Sequence, residues 1–203
     1  MKGTRHNGRS GKDGVYNPLH NDRRFDPEHS EHIDNERVRQ NIYWDCYQGY
    51  TTMEDRGKED NFSFSQIEMA YYSEHYSDYV INQNKRHEKA RHPDRCKGVE
   101  EILKNKKTCP EESIYQLGTI DEHASVETLI RVFDEFKKEF DERFGSNVHI
   151  IDWSLHMDES TPHIHERHVF DATNRYGEIE PKQEAALEEL GFELPNPEKK
   201  RSK

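Results

Sequence analysis

The segment that decides the fold comprises two predicted strands around a short turn, Asn147-Val-His-Ile-Ile-Asp-Trp-Ser-Leu-His-Met-Asp-Glu-Ser-Thr-Pro-His-Ile-His-Glu-Arg-His-Val-Phe170. Apolar and polar residues alternate well enough over 147–155 to predict a half-buried strand. The alternation assigns Ile151, Trp153 and Leu155 to one face, and Asp152, Ser154 and His156 to the other.

A second strand is predicted from His163 to Phe170, after the turn Asp-Glu-Ser-Thr-Pro. Because successive side chains of a strand point to opposite faces, His163 and His165 share one side. Pairing of the two strands would therefore bring three imidazoles together, those of His156, His163 and His165.

This histidine group is typical of a divalent metal site. Three neutral nitrogen ligands, with room left for water or substrate, describe an open catalytic site rather than a closed structural one. Asp158 and Glu159 could complete the ligand shell or orient the histidines through their second ring N–H. The alternative is a surface hairpin in a chain that is simply rich in histidine, with 13 in all. The combination of H-x-D-E with P-H-x-H favours the metal site, because it is far more specific than a lone pair of histidines.

The composition allows one domain with a modest core. The chain has 203 residues, 31% hydrophobic and 35% charged, and its mean hydropathy is -1.24. No segment approaches the roughly 20 apolar residues of a membrane span, and residues 1–6 contain no apolar run typical of a signal peptide. We therefore expect a cytoplasmic protein. Cys46, Cys96 and Cys109 are odd in number and widely spaced, which argues against a disulfide framework and a zinc ribbon.

Charge is unevenly distributed along the chain. The net charge of -11 counts against nucleic-acid binding, because phosphate contacts need lysine and arginine. Basic residues nevertheless concentrate near the start, where we place the candidate DNA contacts. These candidates are Arg5, Arg9, Lys12, Asn21 and Arg24. On charge alone, a solvated tail explains the basic residues equally well.

The order of the predicted elements indicates an α+β domain with a largely antiparallel sheet and helices on one face. Residues 1–30 are predicted to form an irregular basic arm, 31–192 the domain, and 193–203 a basic tail. Within the domain, 55–110 is predicted to be a helical and charged insertion that adds little core.

Individual elements are predicted with their boundaries. Helices are expected over 65–92 and after Ser125, which is placed to cap a strongly amphipathic helix. A strand is expected over 112–120, and an aromatic cluster over 41–50 is interpreted as core rather than as a surface for base stacking.

The sequence His20-Asn-Asp-Arg23, together with His156 to His165, resembles the MobV/Pre family of plasmid mobilisation relaxases, which belong to the HUH endonucleases. The family shows an H-N-x-R element near its N-terminus and an H-x-D-E-x-x-P-H-x-H element further on, and both occur here. An Asn-Tyr segment of the family has a loose counterpart in Asn41-Ile-Tyr43. The resemblance spans roughly residues 15 to 170, and the histidine element is its most specific part.

The resemblance implies an HUH relaxase-like palm that nicks DNA at a transfer origin, with strand specificity, and stays attached to the 5′ end. His20 would be the nucleophile, Arg23 would bind the scissile or an adjacent phosphate with its planar fork, and Glu159 is the third catalytic candidate. A bound Mn²⁺ or Mg²⁺ would neutralise charge on the phosphoryl oxygens. Tyr16 and Tyr43 remain conceivable tyrosine nucleophiles.

Two departures from the family pattern carry further expectations. An apolar strand normally precedes the H-N-x-R element, but residues 5–17 are polar and glycine-rich, so we expect the sheet to lack that strand. Relaxases also carry a long C-terminal region for dimerisation or coupling. We therefore expect a truncated or single-domain form, with a homodimer or relaxosome and coupling proteins as partners only where that region exists.

Two other functions are compatible with the sequence. One is another HUH-type enzyme, either a nuclease that uses activated water or a replication initiator or transposase. The other is a non-catalytic DNA-binding remnant of a relaxase, suggested by the weak core and the acidic balance. A covalent protein–DNA intermediate distinguishes the relaxase from a nuclease that uses water.

Overall fold

The computed structural model describes residues 3–8, 18–24, 33–34, 36–58, 60–119 and 121–193. The predicted DNA contacts Arg9 and Lys12, the alternative nucleophile Tyr16 and residues 194–203 of the predicted tail lie outside these residues.

A seven-stranded sheet lies at the centre of the fold, in the strand order β1-β4-β6-β5-β2-β3, with β7 paired to β6. The strands are β1 (Gly3–Gly8), β2 (Ile42–Asp45), β3 (Gly49–Thr52), β4 (Glu111–Leu117), β5 (Val148–His156), β6 (His163–Thr173) and β7 (Ile179–Pro181). All of these pairings are antiparallel, which confirms the α+β class and the antiparallel sheet.

Two long helices and four short ones accompany the strands in the described part of the chain. They are α1 (Pro18–Asn21), α2 (Met53–Arg56), α3 (Phe64–Lys89), α4 (Val99–Leu103), α5 (Val126–Phe144) and α6 (Gln183–Glu189). The Ser125 side chain accepts a hydrogen bond from the Thr128 N–H, so the predicted cap of α5 is confirmed. No helix in the described residues is long and apolar enough to cross a membrane.

The long helices cover opposite faces of the sheet, which differs from the expectation that the helices lie on one face. Helix α3 shares a buried cluster with Ile151 of β5 and Val169 of β6. Helix α5 packs instead on Trp153 and Leu155 of β5 and on Ile164 of β6. We call these two sides the α3 face and the α5 face. The sequence could not assign the helices to different faces, because both carry an apolar stripe and a stripe does not show which face of the sheet it packs on.

Residues 55–110 contribute more core than expected. Side chains of α3 and α4 form most of the cluster on the α3 face, namely Ile67, Tyr71, Tyr72, Tyr76, Val80 and Ile102. The prediction of an insertion with little core was therefore wrong, because tyrosines bury their rings here while their hydroxyls find partners. The Tyr76 hydroxyl, for example, donates to Asp171 Oδ2 at 2.9 Å.

The segment 1–30 is not irregular throughout, and the sheet does not lack its first strand. Residues Gly3–Gly8 form β1, which pairs with β4 at the edge of the sheet. An edge strand is held by backbone hydrogen bonds on one side and needs few apolar side chains, so a polar sequence can form it. Arg5, directly opposite Tyr115, lies with its guanidinium 5.4 Å from the centre of that ring.

A β-bulge in β5 changes which residues face which helix. The register with β6 shifts between Ile150 and Asp152. Ile151 therefore packs on the α3 face, whereas Trp153 and Leu155 pack on the α5 face, which corrects the prediction that these three share a side. A bulge inserts one residue into one strand and so reverses the alternation that follows it.

Candidate metal centre and nucleophile

Three histidines converge where β5 and β6 meet, as the sequence predicts. His156 and His163 are direct cross-strand partners, and His165 lies two residues further along β6 on the same face. The ring centre of His165 lies 4.8 Å from those of both His156 and His163. The cluster lies at one end of the two central strands, on the α3 face and away from the α5 core.

Each of these imidazoles has one ring nitrogen held by the protein and the other directed at the cluster. His163 Nδ1 lies 2.8 Å from the Thr161 carbonyl oxygen, and His165 Nδ1 lies 3.0 Å from Glu112 Oε1. Their Nε2 atoms are 3.0 Å apart. Such outer contacts fix the orientation and tautomer of metal-binding histidines in known sites.

His156 is held in the same way from its opposite nitrogen. Its Nε2 lies 3.1 Å from Ser154 Oγ and 3.2 Å from the carbonyl oxygen of Asn21, while its Nδ1 is buried and makes no hydrogen bond with the described residues. A buried imidazole nitrogen without a partner is costly unless a ligand satisfies it. Burial, the largest cause, lowers the pKa of His156 to about 3, and burial also lowers the pKa of His163. Both rings are therefore neutral, as coordination requires.

Glu159 is the carboxylate that faces this cluster. Its Oε1 lies 3.5 Å from His156 Nδ1, and its Oε2 lies 3.7 Å from His163 Nε2. Burial raises the pKa of Glu159, but interactions with His156, His20 and Arg23 outweigh burial and lower it. His156, Glu159 and His163 form one group of side chains able to share a cation, and His20, His156 and His165 form another.

Helix α1 places His20 beside the cluster. The His20 ring centre lies 5.4 Å from that of His156 and 5.6 Å from that of His165, and its Nε2 lies 3.4 Å from Glu159 Oε1. The His20 side chain is 37% exposed, whereas His156 is fully buried. The structure thus brings the predicted nucleophile and the predicted ligands together, and His20 is the most exposed of these histidines.

Arg23 and Asp158 connect α1 to the turn between β5 and β6. The Arg23 guanidinium donates to Asp158 Oδ2 and Oδ1 at 2.8 and 2.7 Å, and to Glu159 Oε1 at 2.6 Å. Its remaining nitrogen, Nη1, lies 3.0 Å from the carbonyl oxygen of His20. Asn41 completes the arrangement, because its amide donates to Asp158 Oδ2 at 2.9 Å. Asp158 is therefore bound to Arg23 and Asn41 and does not face the histidines.

The predicted DNA contacts lie in different surroundings. Asn21 is buried, and its amide donates to Glu112 Oε1 at 2.9 Å. Arg24 is exposed and donates to the carbonyl oxygens of Arg56 and Asn61. Arg5 is exposed as well, but it contacts Tyr115, which packs on the α5 face. Only Arg24 of these three is exposed next to α1.

Tyr43, the other candidate nucleophile that the structure describes, is fully buried. Its hydroxyl lies 3.4 Å from the sulfur of Met53. Burial, the largest cause, raises the pKa of Tyr43 to about 12. A buried phenol with a raised pKa is a poor nucleophile, so the geometry favours His20. Of the same aromatic cluster, Tyr47 and Tyr50 are exposed rather than core.

Glu112 was not among the residues predicted from the sequence. It projects from β4 next to the histidines of β6. Burial raises the pKa of Glu112, but its interactions with His165 and Asn21 outweigh burial and lower that pKa to about 2. Its only signal in the sequence is its place at the start of a predicted strand. The pairing of β4 with β6, which gives Glu112 its role, cannot be read from local pattern.

The fold is similar to that of a solved relaxase domain. A solved structure of the MobM relaxase domain (MOBV; Mob_Pre) with plasmid pMV158 oriT DNA, described as Mn-bound, aligns with a TM-score of 0.52 and 20% identity. The alignment covers 100% of this chain and 95% of that one. A second MobM structure, also bound to oriT DNA and Mn, gives a TM-score of 0.46, 21% identity and coverage of 100% and 94%.

The chain belongs to the Mob_Pre family, described as plasmid recombination enzymes, whose family model matches residues 58–190. The resemblance expected from the two sequence elements is thereby confirmed. Among curated proteins, none matches the chain.

Proposed function

We propose that this protein is a metal-dependent relaxase that nicks one DNA strand at a plasmid transfer origin and stays linked to the 5′ phosphate through His20. The observation that carries the proposal is the convergence of His20 and Glu159 on the cluster of His156, His163 and His165. MobM, which shares the fold, was solved with oriT DNA and Mn, and this supports both the substrate class and the metal.

The donor set fits a divalent cation. His156, His163 and His165 would hold Mn²⁺ or Mg²⁺ through the nitrogens that face the cluster, and the buried Nδ1 of His156 would gain the partner it lacks. The metal would supply positive charge that stabilises the phosphoryl oxygens as the phosphorus is attacked. Glu159 would either join the ligands or hold a proton near them.

The protein residues account for the covalent step. A neutral ring nitrogen of His20 would attack the phosphorus, the bond to the 3′ oxygen would break, and that oxygen would leave as a hydroxyl after taking a proton from water. The imidazole would release its other proton to water, while Glu159, whose Oε1 lies 3.4 Å from His20 Nε2, would orient the ring and stabilise the positive charge that develops on it. The product is a phosphoramidate, which a free 3′ hydroxyl can attack to rejoin the strand.

We assign Arg23 a positioning role in place of the predicted phosphate contact. Its nitrogens already contact Asp158, Glu159 and the carbonyl oxygen of His20. Its backbone φ of 53° lies in the left-handed region, which is unusual for a residue with a side chain and is stabilised by these contacts. Arg23 would therefore fix the end of α1 and the orientation of His20.

The test is a nicking assay on supercoiled plasmid carrying the cognate origin, with Mn²⁺ or with EDTA, followed by denaturing gels. We expect metal-dependent nicks and a protein-linked 5′ end that acid releases, because P–N bonds hydrolyse in acid faster than tyrosyl phosphodiesters. His20→Phe should abolish the adduct. His123→Phe, at an exposed histidine outside the cluster, and Tyr43→Phe should both retain it.

The other outcomes identify the alternatives. Nicking without an adduct would indicate a nuclease that uses activated water, and origin binding without cleavage would indicate a non-catalytic remnant. An adduct that survives His20→Phe would contradict the nucleophile assignment. The protein would act in the cytoplasm, with a homodimer or relaxosome and coupling proteins as partners where a C-terminal region exists.

A further inference from the structure

A group of basic side chains lies at the far end of α3, away from the histidine cluster. Its members are Lys85, Arg86, Lys89, Arg175 and Tyr176, and we call it the distal basic patch. Lys89 follows Lys85 by four residues and Arg86 by three, the spacing that puts helix side chains next to one another. Lys85, Lys89 and Arg175 are exposed.

Side-chain contacts connect the two parts of the distal basic patch. Arg86 joins α3 to the turn between β6 and β7 through two hydrogen bonds to Glu178, each of 2.8 Å. The Arg86 guanidinium lies 4.2 Å from the centre of the Tyr176 ring, and that of Arg175 lies 4.8 Å from it. Asn174 Oδ1 accepts hydrogen bonds from the N–H groups of Tyr176 and Glu178 at 2.8 and 3.1 Å. These contacts hold the turn next to the C-terminal end of α3.

The charge of this region contrasts with that of the chain. Residues 85–97 contain six lysines and arginines but only two acidic residues, whereas the whole chain has a net charge of -11. Within the described residues, no ion pair engages Lys85, Lys89 or Arg175. Tyr176 is 52% exposed, whereas Tyr72 and Tyr76 are fully buried. Exposed cations around a fixed tyrosine are suited to phosphate and sugar contacts.

The position of the patch relates it to the histidine cluster. Strand β6 begins at His163 and ends at Thr173, next to the turn that carries Arg175 and Tyr176. Its 11 residues span about 33 Å at about 3.3 Å per residue. That length is close to one turn of B-form DNA, or about ten base pairs.

We propose that the distal basic patch binds the phosphate backbone of duplex DNA about one helical turn from the nick. This rests on the proposed function for the position of the nick, but the duplex contact itself is independent of catalysis. The contact is electrostatic and independent of sequence, so it steadies the DNA without choosing the origin.

The test compares the triple variant Lys85→Gln/Lys89→Gln/Arg175→Gln with a matched control, Arg131→Gln/Lys138→Gln/Arg143→Gln. The control removes three exposed cations from α5, on the opposite face of the sheet. Binding of a fluorescent duplex of about 20 base pairs and arbitrary sequence is followed by anisotropy as KCl increases. Each lost phosphate contact should flatten the slope of log K against log salt by about 0.9, so the patch variant should lose about 2 to 3.

The wild-type slope should be retained by the control. Equal slopes in the two variants would overturn the proposal. It would also be overturned if the patch variant lost binding to phosphatidylserine vesicles but bound duplex DNA as the wild type does. The patch variant should still nick a short single-stranded oligonucleotide that carries the cognate site. If the wild-type protein nicks nothing but shows a patch-dependent slope, the proposed function fails and the duplex contact is supported.

Discussion

Asp158 binds the guanidinium of Arg23 through two hydrogen bonds of 2.8 and 2.7 Å, across 135 positions of sequence. Both side chains are almost fully buried. The pair is one of the direct links between the N-terminal segment that carries His20 and the turn that carries Glu159. It joins the two sequence elements, His20–Arg23 and His156–His165, by charge as well as by proximity.

Asp158→Ala should destabilise the fold strongly. Removing one partner of a buried ion pair typically costs about 3–5 kcal/mol. Because Glu159 would remain as a second carboxylate partner of Arg23, we expect a loss near the lower end of that range. Urea unfolding of the metal-free protein measures the difference. Glu100→Ala, at an exposed carboxylate paired with Lys104, is the control and should change the free energy of unfolding little. Equal losses in the two variants would contradict the assigned role of the pair.

Glu112→Gln should weaken metal binding although Glu112 is not placed among the ligands. The carboxylate holds His165 Nδ1 at 3.0 Å, and loss of such a contact typically lowers metal affinity about 10- to 100-fold. Calorimetric titration with Mn²⁺ measures the affinity. Glu122→Gln, at an exposed position, should bind as the wild type does. An unchanged affinity in Glu112→Gln would show that His165 is oriented without it.

Asp152→Asn should stabilise the protein more at alkaline than at acidic pH. Asp152 is fully buried, and neither carboxylate oxygen has a hydrogen-bond partner in the described residues. Burial, followed by the charge of Glu68, raises its pKa well above the ordinary value, although Arg167 and Arg56 oppose the increase. The folded state therefore retains a proton that the unfolded chain releases above about pH 4.

A raised carboxyl pKa fixes the sign of the pH dependence. The contribution of Asp152 to stability is complete below the unfolded pKa of about 4 and is lost as pH rises through the folded pKa, at about 1.4 kcal/mol per pH unit. The free energy of unfolding of Asp152→Asn minus that of the wild type should increase from about pH 5 to about pH 8. Asp121→Asn, at an exposed carboxylate, should give a flat difference. A flat difference for Asp152→Asn would show that Asp152 ionises in the folded protein.

Leu129→Ala should separate stability from metal binding. Leu129 is buried in the α5 cluster, and truncation of a buried leucine typically costs about 2–5 kcal/mol. The histidines project from the opposite face, so the Mn²⁺ affinity of the folded protein should not change. Thermal unfolding and calorimetric titration measure the two quantities. A parallel loss of affinity would mean that the two faces are coupled through the sheet.

Local pattern was sufficient to bring the three candidate metal ligands together. His156, His163 and His165 lie in one hairpin, so the period of two within each strand and the turn between them place the three rings together. Helix α5 could be predicted equally well, because Ser125 and the apolar stripe after it are adjacent in sequence. These features depend on contacts that are short in sequence.

Features that depend on distant contacts were not predicted. Glu112 gains its role only when β4 pairs with β6, and β1 forms only because β4 offers an edge. Asn41 acts through Asp158, 117 positions away. The burial of α3 required tyrosines to pack as core, although composition suggests a solvated helix. In each case tertiary pairing decided what the local sequence left open.

The bulge at Ile151 changes whether the even-numbered or the odd-numbered residues of β5 face α5. Before it, the even-numbered Ile150 packs towards α5; after it, odd-numbered residues do, and His156 is thereby delivered to the other side. Removing one residue between Val148 and Asp152 would restore strict alternation along β5. The side chains before the deletion would then move from one face of the sheet to the other. This segment should accordingly accept substitutions far more readily than changes in length, and length should be its most constrained property among relatives.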